Sequence, residues 1–367
     1  MNNLRNTIEQ CIHGPEGTIN QGWGLLLQLL SICYGAIVRF RLLLYRLGIF
    51  KTHYLPAKVI SIGNIVAGGT GKTPATILMA NTLRQKGEKV VVVSRGYGGR
   101  KSSKIPYVVS DGKNMFLNAI DAGDEPVLIS LLTHDVPVII GQDRFKAGQV
   151  AIREFNAGII LLDDGFQHVK LHRDFSLLLM DAGAPLGNGK ILPRGPMREP
   201  ITAINRADVI LFTRSPVELG GGALGKDPFG FGKMTFRARH SIAKRANDLF
   251  PGLTNAVQAD SIENKNVFLF SGIADGKKFE EGVCQFGGII RGHAEFPDHH
   301  YYSENDRKNI LRRAIETGAS VLVTTDKDAA RLGEGQQWKL PLMTLGVEME
   351  IQSTENFWDL LQTEFKI

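Results

Sequence analysis

The stretch AKVISIGNIVAGGTGKTPATILMANTLRQ, residues 57–85, decides the fold. Residues 57–62 are apolar and rich in β-branched side chains, and Pro56 and Gly63 bound them, which predicts a buried strand. Glycines Gly68, Gly69 and Gly71 follow, and then residues 75–85, most of them helix formers. Strand, glycine-rich turn and helix opening with Lys-Thr together read as a P-loop, with Val66, Ala67, Gly68, Gly69, Thr70 and Gly71 wrapping phosphates in backbone N–H groups. Lys72 is expected to reach the β and γ oxygens of ATP, and the Thr73 hydroxyl to bind Mg²⁺. Pro74 suits a first helical turn, where a missing N–H costs nothing. The strict pattern places a glycine five positions before Gly71, where this chain has Val66.

Working outward, apolar runs recur at 89–94 (KVVVVS), 136–141 (VPVIIG), 158–162 (GIILL), 175–181 (FSLLLMD) and 208–213 (DVILFT), several separated by helix-compatible stretches. Such alternation predicts a doubly wound α/β core with a mostly parallel sheet. The run at 158–162 ends in Asp163-Asp164-Gly165, the form expected where a strand delivers carboxylates beside phosphates to hold magnesium. Residues 219–232 (LGGGALGKDPFGFG) are glycine-rich and read as a linker. The division expected is therefore an N-terminal helical region over 1–55, a P-loop core over 56–218, and a smaller α/β domain over 233–367. In the last, strands are expected at 266–273, 288–296, 320–325 and 340–346, and helices at 304–317 and 355–365.

The chain has 367 residues, 43% of them apolar and 22% charged, which is ordinary globular usage and excludes a disordered or polytopic membrane protein. Its 3 cysteines form no C-x-x-C pair, so neither a zinc site nor a disulfide framework is supported, and a reducing cytoplasm fits. The net charge of +6 is unevenly spread. From Gly17 to Gly87 there is no Asp or Glu, while Arg39, Arg41, Arg46, Lys51, Lys58, Lys72, Arg84 and Lys86 fall inside that span. An apolar helix is expected from about 23 to 50 within it, its most apolar part ending where Arg39 arrives. That part is short beside the ~20 apolar residues a membrane span needs, so a helix lying on an anionic membrane surface is expected, with packing on the protein's own core as the alternative. No small-residue cleavage site follows the apolar run, which argues against a cleaved signal peptide. Basic motifs interleaved with aromatics are lacking, so nucleic acid is not an expected partner, and nothing calls for an obligate protein partner.

The chain resembles the tetraacyldisaccharide 4′-kinases of lipid A synthesis in Gram-negative bacteria over nearly its whole length. The resemblance rests on GNIVAGGTGKTP (63–74), SRGYGG (94–99), GDEP (123–126), DDGFQH (163–168), GNGKILPRGPMREP (187–200), FSGIA (270–274), FPDHHYY (296–302) and TTDKDAAR (324–331), in that order. The family's loop is similar to GGxGKTP rather than the strict pattern, so Val66 agrees with it. The resemblance implies transfer of the γ-phosphoryl group of ATP to the 4′-hydroxyl of a tetraacylated glucosamine disaccharide 1-phosphate. The product would be the lipid A precursor lipid IVA, made at the cytoplasmic face of the inner membrane. By the same resemblance Asp124 matches the family's general base, and His299 the imidazole that orients and polarises it. They lie on different expected domains, so closure would complete the site and exclude water. Glu125, Asp163 and Asp164 are candidates for magnesium or its waters. Arg95, Arg144 and Arg198 are candidates for phosphate contacts, with a surface ion pair as the alternative for each. Tyr97, Gln167 and His168 fall in matching motifs and are expected to line the same cleft. The role of 324–331 stays open between structural and nucleotide-proximal. A P-loop switch acting on a protein partner is the alternative function, and it needs no acceptor-specific base.

Overall fold

The computed structural model describes residues 21–101, 104–215, 225–226, 228–253, 256–332 and 338–366. Its strands in chain order are β1 (Lys58–Gly63), β2 (Val90–Ser94), β3 (Tyr107–Ser110), β4 (Val138–Ile140), β5 (Ile159–Asp163), β6 (Phe175–Asp181), β7 (Val209–Thr213), β8 (Gly225–Lys226), β9 (Met234–Arg245), β10 (Asn266–Ser271), β11 (Ile289–Glu295), β12 (Val321–Thr325) and β13 (Leu342–Ile351). The helices used below are α1 (Gln21–Arg46), α2 (Lys72–Gln85), α3 (Asp124–Leu132), α4 (Arg144–Phe155), α5 (Gly276–Gln285), α6 (Glu304–Glu316), α7 (Asp326–Ala329) and α8 (Thr354–Glu364).

Among the described residues the strands form one 13-stranded sheet, ordered β11-β10-β12-β13-β9-β7-β6-β1-β5-β2-β4-β3, with β8 paired to β9. Most pairings are parallel, and β3/β4, β8/β9 and β9/β13 are antiparallel. Strands β1, β2 and β5 are continuous β-branched or leucine runs because helices cover both faces. On β1, Ile60 and Ile62 face a core shared with Ala75, Met79 and Leu83 of α2, while Val59 faces Ala147 and Ala151 of α4.

Strand β9 governs the layout. Its first residues, Met234–Arg237, pair in parallel with β7, and Ala238–Arg245 pair antiparallel with β13. Strand β7 therefore points its carboxyl end toward the middle of β9, and so, from the other side, does β13 with its parallel neighbour β12. The carboxyl ends of the two parallel sets converge. In open α/β sheets those ends carry the ligand crevice, so two crevices become one.

Several local expectations need correction. Helix α1 ends at Arg46 rather than near 50, because Gly48 takes φ +73° and its N–H turns back to the Tyr45 carbonyl at 3.0 Å. Strand β9 had no counterpart in the sequence reading, since its alternation of Arg, His and Lys with apolar residues hides a half-buried strand. Half of the linker expected over 219–232, namely 219–224 and 227, lies outside the described residues, and 225–226 pair with β9.

Helix α1 buries a narrow stripe, Leu27, Ser31 and Gly35, against the segment 187–198. The Ser31 hydroxyl donates to the Ile191 carbonyl at 2.8 Å and the Tyr34 hydroxyl to the Arg198 carbonyl at 3.1 Å. The rest of the helix leaves Leu25, Leu26, Leu29, Leu30, Ile37, Phe40 and Leu43 exposed. Trp23–Arg46 has a mean hydropathy of 1.6 in its most apolar window, only 17% of which is buried, so packing on the protein's own core does not explain it.

Candidate active site

The loop between β1 and α2 is held in shape from several sides. Gly71 caps α2 in the left-handed region at φ +85°, and a Cβ there would lie 2.6 Å from His240 Nε2 of β9. Asn64 Nδ2 donates to Thr70 Oγ1 at 2.8 Å, Thr213 Oγ1 to the Thr70 carbonyl at 3.0 Å, and Arg214 Nη2 to the Gly69 carbonyl at 2.6 Å. Val66, the irregular position of the motif, makes an antiparallel bridge to Met197, and the Ala67 N–H donates to the Pro196 carbonyl at 2.7 Å. A side chain at 66 therefore fits, because the loop begins as a pairing with 196–198. Gln167 Nε2 donates to the Asn64 carbonyl at 2.7 Å and braces the same turn.

A cavity of about 890 Å³ opens over this loop, lined on one wall by Gly68–Pro74 with Arg95, Arg144, Asp163, Asp164 and Arg198, and on the other by Asp298, His299 and Lys327. Asp124, Glu125, Tyr97, Gln167 and His168 also line it. Every residue singled out in the sequence except Val66 and Ala67 thus faces one space, and those two form the root of the loop.

The carboxylates differ sharply. Asp163 ends β5, in register with Ile62 of β1, and is buried with only hydroxyl partners, Thr76 at 3.2 Å and Ser94 at 3.0 Å. Burial, with Glu125 and Asp164 nearby, pushes its pKa up to about 6. A buried carboxylate that, among the described residues, Lys72 and Arg144 influence without hydrogen bonding to it suits a divalent ion, whose charge would reverse that shift. Asp164, at φ +49°, is already paired: Arg198 Nη1 lies 3.0 Å from Oδ2 and Lys72 Nζ 3.9 Å from Oδ1. Burial alone would raise Asp164, but Lys72 and Arg198 outweigh it and hold it low. Arg144 opens α4, is buried, and donates to the Gly141 carbonyl at 2.8 Å, while its Nε has no hydrogen-bond partner among the described residues. His168 is held neutral, its pKa lowered to about 4 by burial and by Arg144, and its Nε2 likewise has no hydrogen-bond partner among the described residues.

Across the cavity, Asp124 opens α3 directly after Gly123, whose φ of +90° lets the backbone pass so close to the Tyr97 carbonyl that a Cβ would lie 2.4 Å from it. Asp124 Oδ2 accepts from His299 Nδ1 at 3.0 Å and from both Nε and Nη2 of Arg331, the former at 3.1 Å. Burial opposes the charge on Asp124, yet the His299 hydrogen bond and the Arg331 guanidinium hold its pKa far below the usual carboxylate range. The same hydrogen bond raises His299 above 6.5 against burial, with Asp298 contributing from 3.5 Å. His299 itself sits at φ +63°, a conformation that costs a non-glycine residue about 1 kcal/mol and collects at functional sites.

Arg331 is the residue that the sequence reading passed over. Fully buried, it joins Asp124 to Asp328, which in turn accepts from Tyr302 Oη at 2.8 Å and the Gly272 N–H at 2.8 Å. TTDKDAAR, FSGIA and FPDHHYY are thereby one buried network behind Asp124. Only a buried arginine with two acidic partners gives 324–331 its meaning, and no local pattern carries that.

Comparison with known proteins gives the family. A family model described as tetraacyldisaccharide-1-P 4′-kinase matches residues 23–366. The tetraacyldisaccharide 4′-kinase of Desulfatibacillum aliphaticivorans is 37% identical over 374 residues, covering 100% of both chains. That of Geobacter metallireducens is 40% identical over 308 residues, covering 84% of this chain and 88% of its own. The crystal structure of the "apo" form of LpxK from Aquifex aeolicus in complex with ATP superposes with a TM-score of 0.72 at 30% identity, covering 92% of this chain and 97% of that one. A P-loop, paired carboxylates and the Asp124–His299 contact in one cavity, on a chain matched nearly end to end, place it in a single lineage: it belongs to the tetraacyldisaccharide 4′-kinase family.

Proposed function

We propose that this chain phosphorylates the 4′-hydroxyl of a tetraacyldisaccharide 1-phosphate with ATP, forming the lipid A precursor. The observation that carries the reading is the Asp124–His299 pair facing the phosphate loop across one cavity, since a switch or simple ATPase needs no such acceptor-side pair. Gly68–Gly71 and Lys72 hold the nucleotide phosphates, while Val66 and Ala67, expected from the motif to join them, are instead tied to residues 196–197 and root the loop. Thr73, Asp163 and Glu125 are the residues that would hold Mg²⁺, which when bound supplies charge neutralisation between the β and γ phosphates. Asp164, engaged by Lys72 and Arg198, positions those cations. Arg95 and Arg144 face the phosphates from β2 and α4, and Tyr97, Gln167 and His168 shape the cleft around them.

The acceptor hydroxyl must lose its proton as the new bond forms. Asp124 is too strongly ionised by Arg331 to be a good base alone, so we assign the proton to the Asp124–His299 pair, with His299 receiving it and Asp124 aiming and stabilising the imidazolium. Asp124 and the loop belong to the strand set on one side of β9 and His299 to the set on the other, and a rocking of one side toward the other, as between the P-loop core and a C-terminal α/β domain, would complete the pair and exclude water.

We further place the protein on the cytoplasmic face of the inner membrane. Helix α1 lies in the interface, its exposed leucines and Phe40 in the acyl layer and Arg39, Arg41 and Arg46 at phosphates. Arg41 also lines the cavity, so the site opens where an acylated substrate resides.

Purified protein with Mg·ATP and the tetraacyl disaccharide 1-phosphate in detergent micelles should yield the 4′-phosphorylated product. No product under conditions where both substrates bind would sink the assignment. Deleting residues 1–49 should release the protein from anionic vesicles, and unchanged partitioning would remove α1 from the membrane role.

A further inference from the structure

The cavity contains a cation that none of these steps uses. Lys327 is the second residue of α7, between the buried Asp326 and Asp328, and Thr325 Oγ1 caps the turn by accepting from the Asp328 N–H at 3.1 Å. Its backbone is therefore fixed on both sides, and its side chain alone extends into the cavity, 37% exposed. Nζ lies 3.7 Å from Glu125 Oε1. A half-exposed pair of that length contributes little to stability, so stability does not account for it.

Lys72 stands on the opposite wall, 12% exposed, at 3.9 Å from Asp164. Among the described residues that line the cavity from beyond β9, Lys327 is the lone lysine or arginine. Glu125, its partner, lines the same cavity as Gly68–Thr73 and Asp163, so Lys327 faces the space over the phosphate loop.

We propose that Lys327 is a catalytic residue that donates N–H bonds to the γ-phosphoryl oxygens from the wall opposite Lys72. The assignment rests on the phosphoryl-transfer reading above. In the step, the bond between the acceptor oxygen and Pγ forms as the bond from Pγ to the bridging oxygen of ADP breaks. The hydroxyl proton passes to the Asp124–His299 pair, and Lys327 keeps its own protons throughout. Three donors on a flexible stem let the ammonium leave Glu125 and follow the charge as it spreads over the equatorial oxygens. Coming from the C-terminal half, it makes the fast step conditional on that half being in place.

The test compares wild type, Lys327→Gln and Lys327→Arg for kcat on the lipid acceptor, for equilibrium ATP binding without added metal, and for thermal melting. Lys327→Gln should lower kcat on the order of 100-fold, while the ATP dissociation constant moves less than about threefold and the melt is unchanged. Lys327→Arg should recover most of the loss. Wild-type kcat in Lys327→Gln would overturn the proposal, as would a fall in ATP affinity as large as the fall in kcat. Failure of the wild type itself to phosphorylate the acceptor would instead bring down the phosphoryl-transfer reading, and the Lys327 assignment with it.

Discussion

The two walls of the cavity hold aspartates at nearly equal burial and treat them in opposite ways. Asp163, 1% exposed, has hydroxyl partners only, and burial lifts it to about 6. Asp124, 4% exposed, has Arg331 and His299, and falls well below the ordinary range. Burial is common to both, so the counter-charge decides. Asp163 has Lys72 and Arg144 acting on it only without hydrogen bonds and suits an arriving cation, whereas Asp124 has its cation in direct contact. The partners of Asp124 are 175 and 207 residues away in sequence.

The severest test of that contrast is Asp124→Ala. It removes the acceptor-side carboxylate and leaves Arg331 buried without its main partner, so kcat should fall about 10³–10⁴-fold. Folding stability should fall by roughly 3 kcal/mol in urea titration, the cost of breaking a buried ion pair from one side. ATP binding should persist, and its parallel loss would mean that the walls are not separable.

Lys72→Ala tests the other wall. Transfer should slow about 10²–10³-fold. Nucleotide affinity should weaken as well, the split between kcat and binding that Asp124→Ala lacks. Equal effects of the two substitutions on ATP binding would erase the distinction.

A pH profile gives a smaller, sharper effect. His299 faces Asp124, Asp298, Arg331 and the Tyr97 ring. Its pKa is raised, chiefly by the hydrogen bond to Asp124, so the imidazolium form dominates below that value. As proton acceptor it must be neutral, so kcat/KM should climb about tenfold per pH unit from the acid side and level off above the raised pKa. His299→Asn should flatten the climb. A climb that survives in that variant would move the proton acceptor elsewhere.

Smallest is Gly71→Ala. At φ +85° and with His240 2.6 Å from the new Cβ, it should cost roughly 1–2 kcal/mol of stability and loosen ATP a few-fold. Unchanged ATP affinity would show that the loop tolerates a reshaped cap.

The phosphate wall was legible in the sequence because its signals are local. Strand β1, the glycines, Lys72 and α2 follow one another without a break, and β6 occupies the predicted 175–181. Helices α3 and α4 were expected only as helix-compatible stretches without bounds, and α5 and strand β9 were not read, since the last two mix charges into a short apolar pattern. The motifs around Asp124, His299 and 324–331 were visible as words, but only through family resemblance, and Arg331 was not singled out.

By itself, then, the sequence determined a P-loop on a mostly parallel sheet, a basic apolar helix, and through its ordered motifs the kinase family. Tertiary structure alone decided that β9 pairs in parallel with β7 and antiparallel with β13, so that the carboxyl ends of both strand sets meet. It also decided which carboxylates are neutralised. Local backbone preferences can be read from neighbouring residues, whereas the ionisation of a buried acid depends on which distant charges the fold brings within a few ångströms.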